Sequence, residues 1–152
     1  MIIHSTLYKG ATVLAFMLLF TYGTLRLHDY NYHYLEKYST HLEMCKTKDK
    51  YIMISQQYQY FPFLITPDMW PEMAQHATQI TGDLYEVTEE GIERCDQMEG
   101  HPEWYCRAPI LVETSQGIKE VFAYLLTKES LEVERVGATI LSNGDWMLRE
   151  QE

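Results

Sequence analysis

The sequence predicts an α+β fold in which a mixed β-sheet curls into a small barrel with flanking helices. Three observations support this prediction. Segments with strand character outnumber helical ones, two of them form a hairpin pattern at 104–128, and one well-delimited helical segment at 88–100 lies between strands. Strands connected both by tight turns and through a helix are typical of a sheet with mixed strand directions.

The chain length favours one domain. A domain of 152 residues can bury roughly two-thirds of the surface that its unfolded chain exposes, and no internal repeat or low-complexity linker divides the sequence. We expect a single domain over 1–152, with its core at 12–128, a lead-in at 1–11 that is irregular or extended, and a C-terminal tail at 129–152.

The first buried element is predicted from the apolar run Val13–Phe20. The run is shorter than the roughly 20 residues that a membrane-spanning helix needs. Lys9 precedes it, as in a signal peptide, but no small-residue cleavage site follows. We therefore predict a buried strand at 12–21, apolar on both faces, and keep a targeting segment or membrane anchor as the alternative. Gly23 then marks a turn, where the backbone either needs conformational freedom or closely approaches another group.

The middle of the chain alternates helical and extended patterns. Tyr30, Tyr34 and Tyr38 recur at helical spacing, so a short helix with a packing stripe of tyrosines is predicted at 29–38. Segments rich in β-branched and aromatic residues predict further strands. These strands are predicted at 51–57, 80–87, 104–114 and 118–128, and the polar segment 68–79, interrupted by a proline, is predicted as a loop or hairpin.

The best-defined predicted helix, between strands in mid-chain, places one acidic residue in an unusual position. Ile92 and Cys95 share with Glu99 the face that is expected to meet the core. Glu99 then lies at the edge of an apolar face in the last turn, where the helix dipole disfavours a negative charge. Dipole and partial burial both raise its pKa toward the range of a general base. The alternatives are an ordinary solvated acid at a frayed helix end, or a role for the nearby acids Asp96 and Glu103.

Two stretches of the sequence together resemble the gamma-glutamylcyclotransferase-like superfamily. They are YGTL at 22–25, directly after the first buried strand, and GDLYEVTEEGIERCDQMEGHPEWYCR at 82–107. The matching residues in the second stretch are Gly82, Leu84, Tyr85 and Val87 in the strand, Asp96, Glu99 and Gly100 at the helix end, and Tyr105 and Arg107 after it. The similarity covers about 14–127 and is nearest to gamma-glutamylamine cyclotransferases and AIG2-like proteins. The chain departs from the family at Arg26-Leu27-His28, where a glycine is often found.

The resemblance implies a small mixed barrel and a cofactor-independent enzyme. Such an enzyme cyclises the γ-glutamyl group of a γ-glutamyl amine or amino acid to 5-oxoproline and releases the free amine. The residues that would carry this chemistry are Glu99 as the catalytic base and acid, and Tyr22, Gly23, Thr24, Leu25 and Tyr105 in substrate binding, with the backbone N–H groups of 22–25 holding the glutamyl group and its oxyanion. A non-catalytic member of the same fold that binds a γ-glutamyl compound is the alternative.

Composition restricts the partners of the protein. The 12 basic and 22 acidic residues give a net charge of −10, and no basic stripe is present for nucleic acid or an anionic membrane surface. The three cysteines, Cys45, Cys95 and Cys106, are widely spaced and fit a reducing compartment. No CxxC, HxxH or HExxH spacing predicts a metal site. We expect a cytoplasmic protein with a small-molecule substrate, without a metal or cofactor, as a monomer or weak homodimer.

Overall fold

The computed structural model of the protein describes residues 3–6, 14–56 and 61–151. Its strands are β1 (Ile3–Thr6), β2 (Leu14–Thr21), β3 (Ser39–Thr47), β4 (Ile52–Gln56), β5 (Pro62–Ile65), β6 (Thr81–Thr88), β7 (Tyr105–Thr114), β8 (Gly117–Leu126) and β9 (Ala138–Ile140). Its α-helices are α1 (His33–Glu36), α2 (Glu89–Glu99) and α3 (Lys128–Glu134), and its 3₁₀ helices are Pro67–Met69, Pro71–His76 and Trp146–Gln151.

A closed barrel of five strands forms the centre of the fold. The strands follow the order β2-β6-β3-β7-β8, and β8 returns to pair with β2. All neighbours are antiparallel except β2 and β8, which run parallel with Leu19 opposite Phe122. β1 pairs with β2 beside this closure, and β5, β4 and β9 form a separate antiparallel sheet. The predicted class, a small mixed barrel with flanking helices, is confirmed.

β2 is central because it is apolar on both faces. Successive side chains of a strand point to opposite faces, and here both faces are covered. Leu18 and Phe20 pack in one buried cluster of apolar side chains, while Leu19 packs in a second. The strand predicted at 12–21 is confirmed for 14–21, and its first two residues lie outside the described ones. None of the helices in the described ranges is long and apolar enough to cross a bilayer.

The helix predicted at 29–38 is shorter in the structure. Only His33–Glu36 is α-helical. The residues before it form turns, in which the backbone N–H of Asn31 donates to the carbonyl of Thr24 at 2.8 Å. The predicted tyrosine packing stripe was wrong, since Tyr30 is 82% exposed and Leu35 is the residue buried from this segment. The turns connect this segment to the loop that follows β2.

The two ends of the chain contribute more structure than the sequence predicted. β1 lies within the lead-in predicted at 1–11 and pairs with β2, while the residues after it, up to position 13, are outside the described ranges. Beyond position 128, three apolar side chains that were assigned to the tail are buried in the two clusters, namely Leu131, Leu141 and Trp146. The core therefore extends past its predicted C-terminal boundary.

Candidate active site

A cavity of about 350 Å³ opens where β2 ends and α2 ends. Its size is within the range of small-molecule sites. It is lined by Phe20, Thr21, Tyr22, Gly23, Thr24, Leu25, Asn31, Phe61, Pro62, Met98, Glu99, Trp104, Tyr105 and Tyr124. The structure thus brings together all six residues that the sequence predicted for the site, from three separate parts of the chain.

Glu99 is the one charged side chain among the described residues that line the cavity. It is half-buried, and within the described ranges no group donates a hydrogen bond to its carboxylate or pairs with it as a cation. Burial raises the pKa of Glu99 to about 7. A carboxyl group with this pKa is populated in both protonation states near neutral pH, which is what general acid–base catalysis requires.

The end of α2 that carries Glu99 is held in place by its neighbour Asp96. The Asp96 carboxylate accepts two hydrogen bonds from the guanidinium of Arg107, at 2.9 and 3.1 Å, and one from the hydroxyl of Tyr124 at 2.6 Å. Gly100 ends the helix with φ 66°, a left-handed conformation that favours glycine. Asp96 lies one helical turn before Glu99. Its bonds to β7 and β8 therefore hold the last turn of the helix, and with it the backbone of Glu99, in place.

The loop after β2, at 22–25, lines the cavity, and its backbone N–H groups have no acceptor among the described residues. The chain turns at Gly23, whose carbonyl accepts a hydrogen bond from the N–H of Arg26 at 3.0 Å. In the part of the chain that the structure describes, the backbone N–H groups of 22–25 donate no hydrogen bond. Backbone N–H groups in a folded protein are nearly always paired, so unpaired ones in a loop that lines a cavity indicate a place for a ligand's acceptor atoms.

Gly23 is required by close packing and not by its backbone angles. It is absent from the described residues with positive φ. A Cβ atom at this position would lie 2.8 Å from two ring carbons of Pro62, a distance shorter than the contacts that Cβ atoms make in proteins. Of the two reasons predicted for this glycine, the structure therefore supports the close approach of another group. Among the described residues other than glycine, His28 is the one that adopts a left-handed φ, of 65°.

Two buried tyrosines connect the loop to the rest of the site. The hydroxyl of Tyr22 donates to the carbonyl of Tyr124 on β8, and the hydroxyl of Tyr105 donates to the carbonyl of Pro62 at 3.0 Å. Burial raises the pKa of both phenols well above the usual value, and the charge of Glu99 adds to the effect. Both therefore stay protonated at neutral pH and act as fixed donors.

A buried ion-pair network lies directly behind the loop. Asp83 on β6 accepts hydrogen bonds from Arg26 at 3.0 Å, from the backbone N–H of Leu27 at 3.1 Å and from His41 at 2.9 Å. Arg26 is only 4% exposed and also contacts Asp145 at 2.6 Å. Burial alone would raise the pKa of Asp83, but the bonds from His41, Arg26 and Leu27 outweigh it and lower that pKa. This network ties the loop to the barrel wall.

The structure separates Glu99 from the other candidate acids. The carboxylate of Asp96 is engaged by Arg107 and Tyr124, and Glu103 is exposed and does not line the cavity. No cluster of three His, Cys, Asp or Glu side chains within the described ranges is arranged to hold a metal ion. Sequence reasoning missed the cavity residues Phe61, Met98 and Trp104, for which no motif gave a signal, and the ion pair behind the loop.

Substitution of Gly23 by valine should remove ligand binding and lower stability. The new side chain would collide with Pro62 and push the loop, with its free N–H groups, out of place. We expect a lowered melting temperature and, for 5-oxoproline, the ligand that the resemblance at YGTL implies, no binding in calorimetric titration. Gly23→Ala, which adds only the Cβ atom, should show a smaller loss of both. Wild-type affinity for 5-oxoproline in Gly23→Val would contradict a ligand site at this loop.

Comparison with known proteins identifies the family. The family model described as "Gamma-glutamyl cyclotransferase, AIG2-like" matches residues 19–148, which include the loop after β2 and the whole of α2. The chain belongs to this family. The resemblance noted at YGTL and at the end of α2 is therefore confirmed, and the family supports a cyclotransferase activity.

Individual relatives agree with this assignment. Gamma-glutamylaminecyclotransferase A of Danio rerio is 32% identical over 113 residues, which cover 69% of this chain and 66% of that protein. YkqA of Bacillus subtilis is 31% identical over 129 residues, which cover 85% of this chain, and the chain spans 40% of the length of YkqA. The crystal structure of an AIG2-like protein from Mus musculus has a TM-score of 0.64 at 18% identity, covering 74% of this chain and 78% of that chain, and has the same fold.

Proposed function

We propose that the protein is an enzyme that cyclises the γ-glutamyl group of a γ-glutamyl amine or amino acid to 5-oxoproline and releases the free amine. One observation carries the proposal: the half-buried carboxyl group of Glu99 shares a cavity with the backbone N–H groups of 22–25, and neither has a hydrogen-bond partner among the described residues. A proton acceptor and a set of oxyanion donors are the two devices that an intramolecular acyl transfer needs. The family and the name of the Danio rerio relative support the same reaction class.

The reaction begins with proton transfer to Glu99. In this mechanism, Glu99 accepts a proton from the neutral α-amino group of the substrate's own glutamyl moiety. The nitrogen forms a bond to the γ-carbonyl carbon, and the carbonyl oxygen takes up the negative charge. The N–H groups of 22–25 donate to this oxyanion and stabilise the tetrahedral intermediate.

Collapse of the intermediate completes the reaction. The carbonyl double bond re-forms, the bond to the leaving nitrogen breaks, and protonated Glu99 gives its proton to that nitrogen. The products are 5-oxoproline and a free amine, and no water is consumed. Because the nucleophile belongs to the substrate, the main contribution of the cavity is to hold the glutamyl chain folded with its nitrogen near its own γ-carbonyl.

The pH dependence of kcat/KM should report the ionisation of Glu99. Only the carboxylate form can accept the proton, and the pKa of Glu99 is raised to about 7. We therefore expect kcat/KM to rise as the pH increases through about 7, with a further rise at higher pH as the substrate's α-amino group loses its proton. Initial rates from pH 5.5 to 9 test this. A kcat/KM that already reaches its plateau at pH 5.5 would contradict a carboxyl base with a raised pKa.

Product analysis tests the proposed reaction. The purified protein is incubated with a panel of γ-glutamyl compounds, and 5-oxoproline and the released amine are quantified by mass spectrometry against protein-free samples. The proposal predicts equal amounts of the two products. If the protein binds γ-glutamyl compounds and releases neither product, it is a binding member of the family. The cytoplasmic location and the monomeric or weakly dimeric state stay predictions.

A further inference from the structure

The cavity has a buried inner part and a more exposed mouth. Among its lining residues, Tyr22, Leu25 and Tyr105 are nearly fully buried. Phe61 and Trp104, by contrast, are 37% and 38% exposed. A glutamyl group held by the inner loop would therefore direct the rest of the substrate, the amine that leaves, toward these two aromatic side chains.

At the mouth, the ring of Phe61 and the backbone of Trp104 are held in position. The ring of Phe61 meets the ring of Phe63 edge-on, with 5.4 Å between the ring centroids. Phe63 in turn stacks on Tyr105, with 5.7 Å between the centroids. The backbone of Trp104 is fixed on both sides, since its N–H donates to Gly100 at 2.9 Å and its carbonyl accepts from Thr127 at 3.0 Å. Partly exposed aromatic side chains around a cavity are a ready surface for an apolar ligand group.

The charges around the mouth disfavour an anionic leaving group. No lysine, arginine or histidine is among the described lining residues, and the one charged group there is Glu99. Arg26 and Arg107, which lie near lining residues in the sequence, are each paired with carboxylates. Glu103, exposed beside Trp104, adds another negative charge. The α-carboxylate of an amino-acid leaving group would meet like charge and no counter-ion.

We propose that Phe61, Met98 and Trp104 form the subsite for the leaving amine, and that the preferred substrates are γ-glutamyl amides of uncharged, apolar amines, aromatic ones above all. The proposal rests on the proposed function, because it assumes that the glutamyl group occupies the inner cavity. In this proposal the mouth determines which γ-glutamyl compounds are used. Apolar contacts favour an apolar leaving amine, and an amino acid is disfavoured because no cation among the described lining residues can pair with its carboxylate.

Three matched substrates separate the two contributions. γ-Glutamylethylamide has no ring, γ-glutamylphenethylamide adds a phenyl ring, and γ-glutamylphenylalanine adds to that a carboxylate. We expect kcat/KM for the phenethylamide to exceed that for the ethylamide by about 10- to 100-fold, the range for apolar groups in a pocket, and to exceed that for γ-glutamylphenylalanine by about tenfold or more.

Variants at the mouth test which residues are responsible. Trp104→Ala should reduce the ratio of kcat/KM for phenethylamide over ethylamide by about tenfold, and Phe61→Ala provides a second test if the first variant does not fold. Tyr30→Ala, which removes an exposed aromatic side chain outside the cavity, should keep the wild-type ratio. Because each ratio compares two substrates of one variant, a general loss of activity does not affect it.

The possible outcomes distinguish this inference from the proposed function. If all three compounds yield 5-oxoproline at similar kcat/KM, or γ-glutamylphenylalanine is the best of them, the subsite inference is wrong and the proposed function stands. If none yields 5-oxoproline, the proposed function fails and the subsite inference fails with it. A ratio that is unchanged in both Trp104→Ala and Phe61→Ala would also overturn the subsite.

Discussion

The Glu99→Gln variant is expected to lose about 100- to 10,000-fold in turnover while keeping its fold. Glutamine preserves the size of the side chain but cannot accept the proton of the α-amino group. Its melting temperature should equal or exceed that of the wild type, since burial raises the pKa of Glu99 and its charged form therefore costs stability at neutral pH. Initial rates of 5-oxoproline release and thermal melting measure the two effects separately.

Glu103→Gln is the matched control for this experiment. It makes the same chemical change four residues away, at an exposed side chain that does not line the cavity, and should leave turnover near the wild-type value. A Glu99→Gln enzyme with normal turnover would remove Glu99 from the mechanism. Equal losses in both variants would show that the effect is one of overall charge.

Asp83→Asn is expected to have the largest effect on stability. The carboxylate accepts from three donors, on Arg26, Leu27 and His41, and an amide in its place must turn an N–H group toward at least one of them. Breaking a buried ion pair by changing one partner typically costs about 3–5 kcal/mol. Chemical denaturation should show a loss of this order in the free energy of unfolding, and activity should fall because the network supports the loop at 22–25.

Asp145→Asn is the graded comparison for this prediction. Asp145 contacts the same arginine but is more exposed, with its side chain 19% accessible, so its loss should cost clearly less.

The stabilising effect of Asp83 should depend on pH. Because the pKa of Asp83 is lowered in the folded state, the effect is present above the ordinary carboxyl pKa of ~3.9 and is lost as the pH falls through the folded value. The difference in free energy of unfolding between the wild type and Asp83→Asn should therefore narrow below about pH 4. An undiminished stability of Asp83→Asn at pH 7 would contradict the buried network.

Several elements could be predicted because their local pattern and their tertiary environment agree. The apolar run before Tyr22 forms β2, and the side chains on its two faces pack in the two buried clusters. α2 is capped at its start by Thr88, whose hydroxyl accepts from the N–H of Gly91, and at its end by the left-handed Gly100, as the sequence predicted. The hairpin of β7 and β8 also follows from sequence, since turn residues separate two β-rich segments.

β3 could not be predicted, because its pattern conflicts with its environment. Its apolar residues Leu42 and Met44 are exposed, while Thr47 is fully buried, and its pairing with β6 is interrupted by a shift in register between His41 and Glu43. Such a strand forms because it has neighbours on both sides, β6 and β7, and not because of its own alternation. β5 begins at Pro62, a residue that argues against a strand when only the sequence is considered.

The candidate site was predictable only where a motif marks it. The loop at 22–25 and Glu99 belong to a family pattern, and the position of Glu99 at the end of a helix independently suggested a raised pKa. The ion pair between Arg26 and Asp83 depends on the register of β2 against β6, which places Asp83 opposite Thr21 at the start of the loop. The aromatic side chains at the mouth depend on two loops that meet only in the folded chain.

The central claim, that the substrate's own amine and not water attacks the γ-carbonyl, is tested most directly by turnover in water enriched in ¹⁸O. The protein is incubated with a γ-glutamyl amide in this water, and the glutamyl product is analysed by mass spectrometry. Intramolecular cyclisation predicts 5-oxoproline without ¹⁸O, since its carbonyl oxygen comes from the substrate. Glutamate carrying one ¹⁸O atom would show that the protein is an amide hydrolase and would contradict the mechanism.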